Sequence, residues 1–182
     1  MNLADRDGFI WQDGQLIDWR DATDSRFNPY FTLQYGCVSR VFVAYETLKV
    51  SAIFRLQDHT KRLLNSAKIY QMKVPYDQAA LEQAQIDVVR ENKLASCYLR
   101  PLIWIGSRNL VLQQQITLFM PLLQHGHGSA YLGDEAMAKG IRVKTSSFTH
   151  HHPNVTMCKA KASGNYTLSI LAHQEVAHSE LR

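Results

Sequence analysis

Long apolar runs are absent from this sequence of 182 residues, and cysteine is scarce. No stretch approaches the roughly eighteen apolar residues that a membrane-spanning helix needs, so we expect no membrane partner. The cysteines Cys37, Cys97 and Cys158 are odd in number and are not spaced like metal ligands, which indicates reduced thiols in an intracellular protein. Because residues 1–7 also lack the apolar core of a signal peptide, we expect a cytoplasmic protein.

Runs of like charge are absent as well. The 20 basic residues exceed the 16 acidic residues by a formal net charge of +4, but they are scattered along the chain and are not interleaved with aromatic residues. This pattern indicates a solvated surface and no nucleic-acid partner. With 46% hydrophobic and 20% charged residues, the composition is typical of a globular protein with one domain, or one domain and part of another.

The first part of the chain carries strand signals. Apolar residues on both sides of Asp13-Gly14 predict a β-hairpin over 9–19, because Asp-Gly favours the tight turn that such hairpins use. Segments 40–45 and 50–54 are rich in β-branched and aromatic residues, which predicts two further strands.

Helical spacing of apolar residues appears in three places. It predicts a helix over 58–70 and a second helix that begins after Asp77, a candidate N-cap, and stops at Asn92. A third helix is predicted over 165–179. Its inward-facing residues are predicted to be Tyr166, Ile170, Leu171 and Val176.

The remaining segments are less regular. Segment 97–105 predicts a buried strand that is interrupted at Arg100-Pro101. Segment 108–124 has no clear pattern, and its glutamines and proline oppose a sheet locally. Segment 141–147 predicts a strand.

Lys161 stands out because it lies among small residues at a passage from strand to helix. A lysine in such a place can be partly desolvated, which favours imine chemistry. An ordinary surface lysine before a helix gives the same spacing, and from spacing alone it is the simpler interpretation.

Two arginines are further candidates. Arg62 lies on a face of the first predicted helix, where a solvated basic residue is a simpler interpretation than a phosphate ligand. Arg100 lies within an apolar strand, where a guanidinium group is costly unless it is paired. We therefore expect a carboxylate partner for Arg100, either from the protein or from a substrate.

A histidine cluster at 150–152, together with His125 and His127, raises the alternative of a small metal-binding module. Metal ligands on a strand or loop need alternate spacing and a further ligand at a set distance. Adjacent histidines before Pro153 point in divergent directions, which favours a polar loop.

Several stretches are informative as a set: Phe9-Ile10-Trp11 with Asp13-Gly14, Arg62-Leu63 through Asn65-Ser66-Ala67 to Tyr70, Tyr98-Leu99-Arg100-Pro101-Leu102-Ile103, Ala130-Tyr131-Leu132-Gly133, and Lys159 to Tyr166. In this order and at this spacing, the chain resembles the branched-chain amino acid aminotransferases, which are class IV, fold-type IV pyridoxal-phosphate enzymes. The match covers most of the chain, but only the N-terminal part of such an enzyme.

The resemblance implies an α+β fold. Residues 1–128 would form a small N-terminal domain. Residues 129–182 would form an interdomain segment and the start of the cofactor-binding domain.

The resemblance also implies an activity. It is the pyridoxal-phosphate-dependent transfer of an amino group from Leu, Ile or Val to 2-oxoglutarate, in branched-chain amino acid biosynthesis. The partners would be a small-molecule amino acid, a 2-oxo acid and, in the family, a second copy in a homodimer.

Roles for single residues follow from the resemblance. Lys161 would form the Schiff base with pyridoxal 5'-phosphate and shuttle the proton, and Arg62 would hold the cofactor phosphate. Tyr166 would donate a hydrogen bond to the ring oxygen of the cofactor. The substrate pocket, including an arginine for the substrate carboxylate, would be lined by Tyr98, Arg100 and Tyr131.

One departure from the family concerns the part that follows the lysine helix. In the family this part carries the acidic partner of the pyridine nitrogen, a second phosphate-binding turn and much of the large domain, and it has no counterpart here. The sequence therefore predicts an incomplete active site. The alternative function is a catalytically inactive, truncated remnant of such an enzyme.

A second departure is local. The family motif Phe-Glu-Gly-Ile-Arg is missing, but codons for 38–43 can be chosen that spell it in another reading frame. Similar shifts recover family-like sequence from 25–34 and from 117–127. We therefore expect small insertions and deletions in the gene, and coding DNA that does not spell the motif in another frame would rule this out.

Overall fold

The computed structural model describes residues 7–22, 36–38, 41–44, 52–94, 97–106, 115–119, 122–123 and 134–178. In these ranges a first group of strands is followed by two helices, a second group of strands and two further helices. The strands are β1 (Phe9–Gln12), β2 (Gln15–Asp18), β3 (Gly36–Val38), β4 (Val41–Ala44), β5 (Ala52–Ile53), β6 (Cys97–Leu99), β7 (Leu102–Gly106), β8 (Gln115–Phe119) and β9 (Leu122–Leu123). The helices are α1 (Leu56–Ile69), α2 (Gln78–Glu91), α3 (Asp134–Lys139) and α4 (Thr167–His178), with short 3-10 helices at Trp19–Asp21 and Ser163–Tyr166. The predicted α+β class is confirmed.

None of the helices in these described ranges is both long and apolar enough to cross a lipid bilayer. The domain boundary that the sequence predicts at residue 128 lies outside the described residues.

The N-terminal hairpin forms as predicted. β1 and β2 pair antiparallel from Phe9↔Asp18 to Gln12↔Gln15. Asp13 and Gly14 connect them with φ angles of 48° and 95°. Positive φ at both central positions is the geometry that matches the twist of the flanking strands, and Asp-Gly adopts it at little cost.

The strands form two antiparallel sheets, with the orders β2-β1-β8-β7-β3 and β5-β4-β6-β9. β6 and β7 follow each other in sequence but belong to different sheets, and Pro101 lies between them. Proline cannot donate to a strand ladder, and Pro101 is fully buried at this change of sheet. The predicted interruption of the strand over 97–105 is thus confirmed.

Segment 108–124, which shows no clear pattern in sequence, contributes β8 and β9. β8 pairs with β7 from Leu102↔Phe119 to Gly106↔Gln115. The prediction that its glutamines oppose a sheet is wrong at Gln115, because a ladder bonds through backbone groups that glutamine supplies as other residues do. Gln113, Gln114 and Pro121 lie outside the described residues.

Helices α1 and α2 confirm two of the predicted helices. α1 begins at Leu56, slightly earlier than predicted. α2 is capped as predicted: the Asp77 carboxylate accepts a hydrogen bond from the Ala80 N–H at 2.8 Å, and Asn92 is the C-cap. The carboxylate also suits the positive end of the helix dipole.

The apolar core lies where the inner faces of α1 and α2 meet the sheets. Each fully buried leucine there contributes about 2 kcal/mol to the free energy of folding. A polar pair lies within this contact, since the Gln85 amide donates to the Thr60 hydroxyl at 3.0 Å. The buried core residues are Trp11, Leu63, Ala67, Met72, Leu81, Ala84, Val88, Val89, Cys97, Leu99 and Ile103.

The strand predicted over 141–147 does not form. Ile141 and Val143 are 56% and 80% exposed, and no described strand lies beside them, so their β-propensity has nothing to pair with. The end of the segment is instead held by α4, where the Glu175 carboxylate accepts hydrogen bonds from the Ser146 hydroxyl at 2.9 Å and the Ser147 N–H at 3.1 Å. These bonds, the one from Ser146 first, lower the pKa of Glu175 from its usual value.

The third predicted helix forms as the 3-10 turn Ser163–Tyr166 followed by α4. Its predicted orientation is wrong, because Tyr166, Ile170 and Leu171 are 47%, 57% and 42% exposed. Helical periodicity identifies an apolar face, but burial also needs a surface to cover that face. In the described part of the chain no such surface lies over α4, and none of its residues is buried.

Asn92 docks the hairpin onto α2, and we expect Asn92→Ala to destabilise the protein by about 2 kcal/mol. Its side chain accepts from the Phe9 N–H and donates to the Phe9 carbonyl, both at 2.8 Å. Urea unfolding gives the stability, and hydrogen exchange gives the protection of the Phe9 amide. Asp77→Ala is the matched control at the other end of the same helix, with an expected loss of about 1 kcal/mol. Equal exchange at Phe9 in both variants would contradict the docking role.

The two cysteines with described side chains should differ in reactivity. Cys97 is 5% exposed, and burial raises the pKa of its thiol to about 11, whereas Cys158 is exposed. Since the thiolate is the nucleophile, we expect iodoacetamide to label Cys158 at least about tenfold faster than Cys97 at mildly alkaline pH. Peptide mass spectrometry measures both rates. In Cys158→Ser, Cys97 should stay protected until urea is added, and prompt labelling of Cys97 in the folded protein would disprove the assignment.

Candidate functional site

Lys161 lies where an irregular segment passes into the 3-10 turn before α4. Its neighbours Ala160 and Ala162 are buried, at 3% and 6% exposure, and Lys161 itself is half-buried. Small side chains on both sides let the backbone pack closely, so the lysine is the one long side chain at this point. Two buried alanines therefore flank Lys161, and the partial desolvation of its amine stays a prediction.

The Lys161 amine contacts Tyr166. The Nζ atom donates a hydrogen bond to the Tyr166 hydroxyl and lies 4.7 Å from the centre of its ring. Tyr166 is the last residue of the 3-10 turn, which brings it back over the lysine. An adjacent amine and phenol can share a proton. Both groups can also form hydrogen bonds to the same oxygen-bearing ligand.

Ser66 connects the lysine segment to α1. The Lys161 N–H donates to the Ser66 hydroxyl at 3.0 Å, and that hydroxyl donates to the Arg62 carbonyl at 2.9 Å. Ser66 lies one helical turn after Arg62, so a single buried hydroxyl joins the two candidate residues through their backbones. This contact brings two predicted site residues onto one part of the fold.

Asn165 holds the lysine segment from its other side. Its side-chain amide donates to the Ala160 carbonyl at 2.9 Å, and its N–H donates to the Ala162 carbonyl at 3.2 Å. The Nε2 atom of His150 in turn contacts the Asn165 carbonyl. Both carbonyls that flank Lys161 are therefore bonded to one residue.

Arg62 lies in a basic cleft on α1. The cleft has a volume of about 650 Å³ and is lined by Asp58, Lys61, Arg62, Asn65, Lys68, Ile69 and Lys159. Cations outnumber the one carboxylate among these residues, which suits a phosphate or another anion. Lys161 is not among the residues that line it.

His59 lies beside Arg62. One guanidinium nitrogen of Arg62 is 3.3 Å from the Nδ1 atom of His59. Burial, followed by the charges of Arg62 and Arg55, lowers the pKa of His59 from its usual value. A neutral imidazole at neutral pH can accept a hydrogen bond from the guanidinium and orient it.

The structure describes the predicted substrate-pocket residues only in part. Arg100 is partly buried between β6 and β7. The Tyr98 backbone lies at the centre of β6, where it pairs with Phe42 and Leu123. Tyr131 lies outside the described residues.

Of the predicted histidine cluster, the structure describes the histidines at 150–152. In the part of the chain that the structure describes, no group of three or more His, Cys, Asp or Glu side chains is placed to hold a metal ion. The rings of His150 and His151 lie 3.9 Å apart between centres, and His150 is engaged with Asn165. His125 and His127 lie outside the described residues.

Two residues with clear structural roles at the site, Ser66 and Asn165, receive no role from the sequence pattern. Both stand within the stretches that carry the family resemblance. Ser66 also has a local signal, because it lies between the buried Leu63 and Ala67 on the inner face of α1. A hydroxyl on such a face needs a partner, but the sequence does not show that the partner is the Lys161 amide.

Known proteins match this sequence along most of its length. The Amino-transferase class IV family matches residues 43–180. A branched-chain-amino-acid aminotransferase of Pseudomonas aeruginosa is 45% identical over 176 residues, which is 96% of this chain and 57% of the relative. This chain thus spans little more than half the length of such relatives.

Solved structures agree with the sequence matches. The branched-chain amino acid aminotransferase of Escherichia coli superposes with a TM-score of 0.84 at 30% identity, over 93% of this chain and 57% of that one. The T.th. branched-chain amino acid aminotransferase with pyridoxamine 5'-phosphate gives a TM-score of 0.82 at 37% identity, over 93% and 56%. The fold described above is therefore that of the corresponding part of these enzymes, and the chain belongs to the class IV aminotransferases.

Proposed function

We propose that the protein transfers an amino group between a branched-chain amino acid and 2-oxoglutarate with pyridoxal 5'-phosphate as cofactor. The observation that carries this proposal is the Lys161 amine, which contacts the Tyr166 hydroxyl on a backbone that Ser66 ties to the helix of Arg62. The names of the relatives supply the substrate class.

The residues around Lys161 fit the cofactor. When bound, pyridoxal phosphate supplies an electron sink for reactions at the amino-bearing carbon. The Lys161 amine is the group that would attach it, and the same amine would carry a proton to and from the substrate carbon. The Tyr166 hydroxyl contacts the Lys161 Nζ atom, and in this proposal it would donate to an oxygen on the cofactor ring.

The basic cleft fits the cofactor phosphate. Arg62, Lys61, Lys68 and Lys159 line it, and a planar guanidinium can bind two phosphate oxygens at once. Arg62 is the proposed phosphate residue because Ser66 joins its backbone to that of Lys161. A neutral His59 beside it would orient the guanidinium without repelling it.

The substrate residues remain proposals from the family motif. Tyr98 and Tyr131 would line the pocket, and Arg100 would bind a substrate carboxylate. The T.th. enzyme has been solved with 4-methylvaleric acid, an apolar branched carboxylic acid, which supports a pocket that combines an apolar wall with an anion-binding group.

The proposed activity belongs to a protein of the relatives' full length, of which this chain covers about 57%. We propose the same setting as for that class of enzyme, a cytoplasmic homodimer that uses small-molecule amino acids and 2-oxo acids. Within it, residues 1–128 would form the small domain, and 129–182 the approach to the cofactor domain and its beginning.

Replacing the proposed attachment residue should abolish cofactor linkage. With pyridoxal phosphate added, we expect the wild-type chain to gain a visible absorbance band and, after borohydride reduction, a pyridoxyl group on Lys161 found by peptide mass spectrometry. Lys161→Ala should show neither. Lys139→Ala is the control, because it removes an exposed lysine of α3 that pairs with Glu135, and it should keep both. A pyridoxyl group elsewhere, or none in the wild-type chain, would refute the proposal.

Removing the guanidinium of Arg62 should weaken cofactor binding without preventing attachment. A charged hydrogen bond to phosphate contributes about 1.5–3 kcal/mol, so Arg62→Ala should raise the dissociation constant of pyridoxal phosphate by about ten- to a hundredfold. Absorbance titration measures it. Arg90→Ala removes an exposed arginine of α2 that pairs with Asp87, and should leave the constant unchanged. Equal constants for Arg62→Ala and Arg90→Ala would remove Arg62 from the site.

A further inference from the structure

Ser66 occupies an unusual place for a serine. It lies in the interior of α1, on the inner face between Leu63 and Ala67, and is 1% exposed. Serine is a weaker helix former than alanine, and its hydroxyl bonds back to the preceding turn. The same oxygen also accepts a hydrogen bond from the Lys161 N–H, a group 95 residues further along the chain.

We propose that Ser66 is a positioning residue for Lys161, an inference that rests on the proposed function. Its hydroxyl bonds the backbone of the lysine segment to the helical turn that begins with Arg62. The origin of the lysine side chain is thereby set relative to the basic cleft. Ser66 acts through Lys161 and does not touch the cofactor.

The surrounding hydrogen bonds make the contribution of Ser66 separable from that of Asn165. Asn165 bonds the carbonyls of Ala160 and Ala162 and so fixes the internal shape of the lysine segment. Ser66 bonds the intervening N–H and so fixes the segment to α1. Loss of the Ser66 hydroxyl should loosen this attachment while the segment keeps its local shape.

Thr60 provides a matched control on the same helix. Its hydroxyl donates to the Leu56 carbonyl at 2.9 Å and accepts from the Gln85 amide at 3.0 Å, and the residue is fully buried. Ser66 makes the same pair of bonds, at 2.9 and 3.0 Å, but its second partner is Lys161. Thr60→Val therefore removes an equivalent buried hydroxyl that has no link to the lysine segment.

The first measurement is hydrogen exchange in the protein without cofactor. One net hydrogen bond corresponds to about a five- to tenfold change in an opening equilibrium. We expect the Lys161 amide to exchange faster by this factor in Ser66→Ala and to keep its wild-type rate in Thr60→Val. Ser66→Cys has a side chain of similar size and a weak acceptor, so it should be intermediate, and it carries the test if Ser66→Ala does not fold.

The second measurement is titration with pyridoxal phosphate, followed by the visible absorbance. We expect Ser66→Ala to raise the dissociation constant about tenfold, Ser66→Cys to raise it less, and Thr60→Val to match the wild type. Unchanged exchange at Lys161 in the Ser66 variants, or an equal loss of affinity in Thr60→Val, would overturn the inference. Faster exchange in Ser66→Ala, with no cofactor binding by the wild-type chain, would support the contact and overturn the proposed function instead.

Discussion

The buried inner face of α1 is the constraint on which both the core and the candidate site depend. Leu63 and Ala67 on this face are fully buried against α2 and the sheets. Ser66 lies between them on the same face, and its hydroxyl accepts a hydrogen bond from the Lys161 N–H. Arg62 lies one turn earlier and lines the basic cleft. Because one rigid helix carries all of these, packing energy in the core is also what holds the candidate site residues in register.

Two kinds of interaction position these residues, apolar burial and hydrogen bonds. Apolar burial fixes where α1 lies, but it is non-directional and does not set the position of a particular backbone atom. The hydrogen bonds of Ser66 and Asn165 are directional and define the path of the chain on both sides of Lys161. Side-chain hydrogen bonds therefore hold a short segment that lacks regular secondary structure.

Much of the fold follows from local sequence. The Asp13-Gly14 hairpin, the Asp77 cap and the break at Pro101 each depend on the intrinsic geometry of one or two residues, so they could be predicted. The failures involve partners that are distant in sequence. Segment 141–147 has strand propensity but no described strand beside it, and Ile170 and Leu171 have helical spacing without a described covering surface. The family motif predicts Lys161 and Arg62 as site residues, whereas the roles of Ser66 and Asn165 require contacts that only the folded chain shows.

Most of the tracts at 25–34 and 117–127, where a shifted reading frame is expected, lie outside the described residues. The hypothesis of a shifted reading frame therefore stays a prediction.

The strand order has a consequence for how the chain is made. β1 pairs with β2 at once, but its other neighbour is β8, at Gln12↔Phe119. The hairpin thus leaves the ribosome well before β8 does. The edge of β1 that faces away from β2 stays unpaired until the chain has been synthesised through Phe119. Contacts so far apart in sequence are slow to form, and an unpaired edge is a template for association in the meantime. Helices α1 and α2 can form during that interval, so they offer the hairpin a surface to dock on, through Asn92, before its sheet exists.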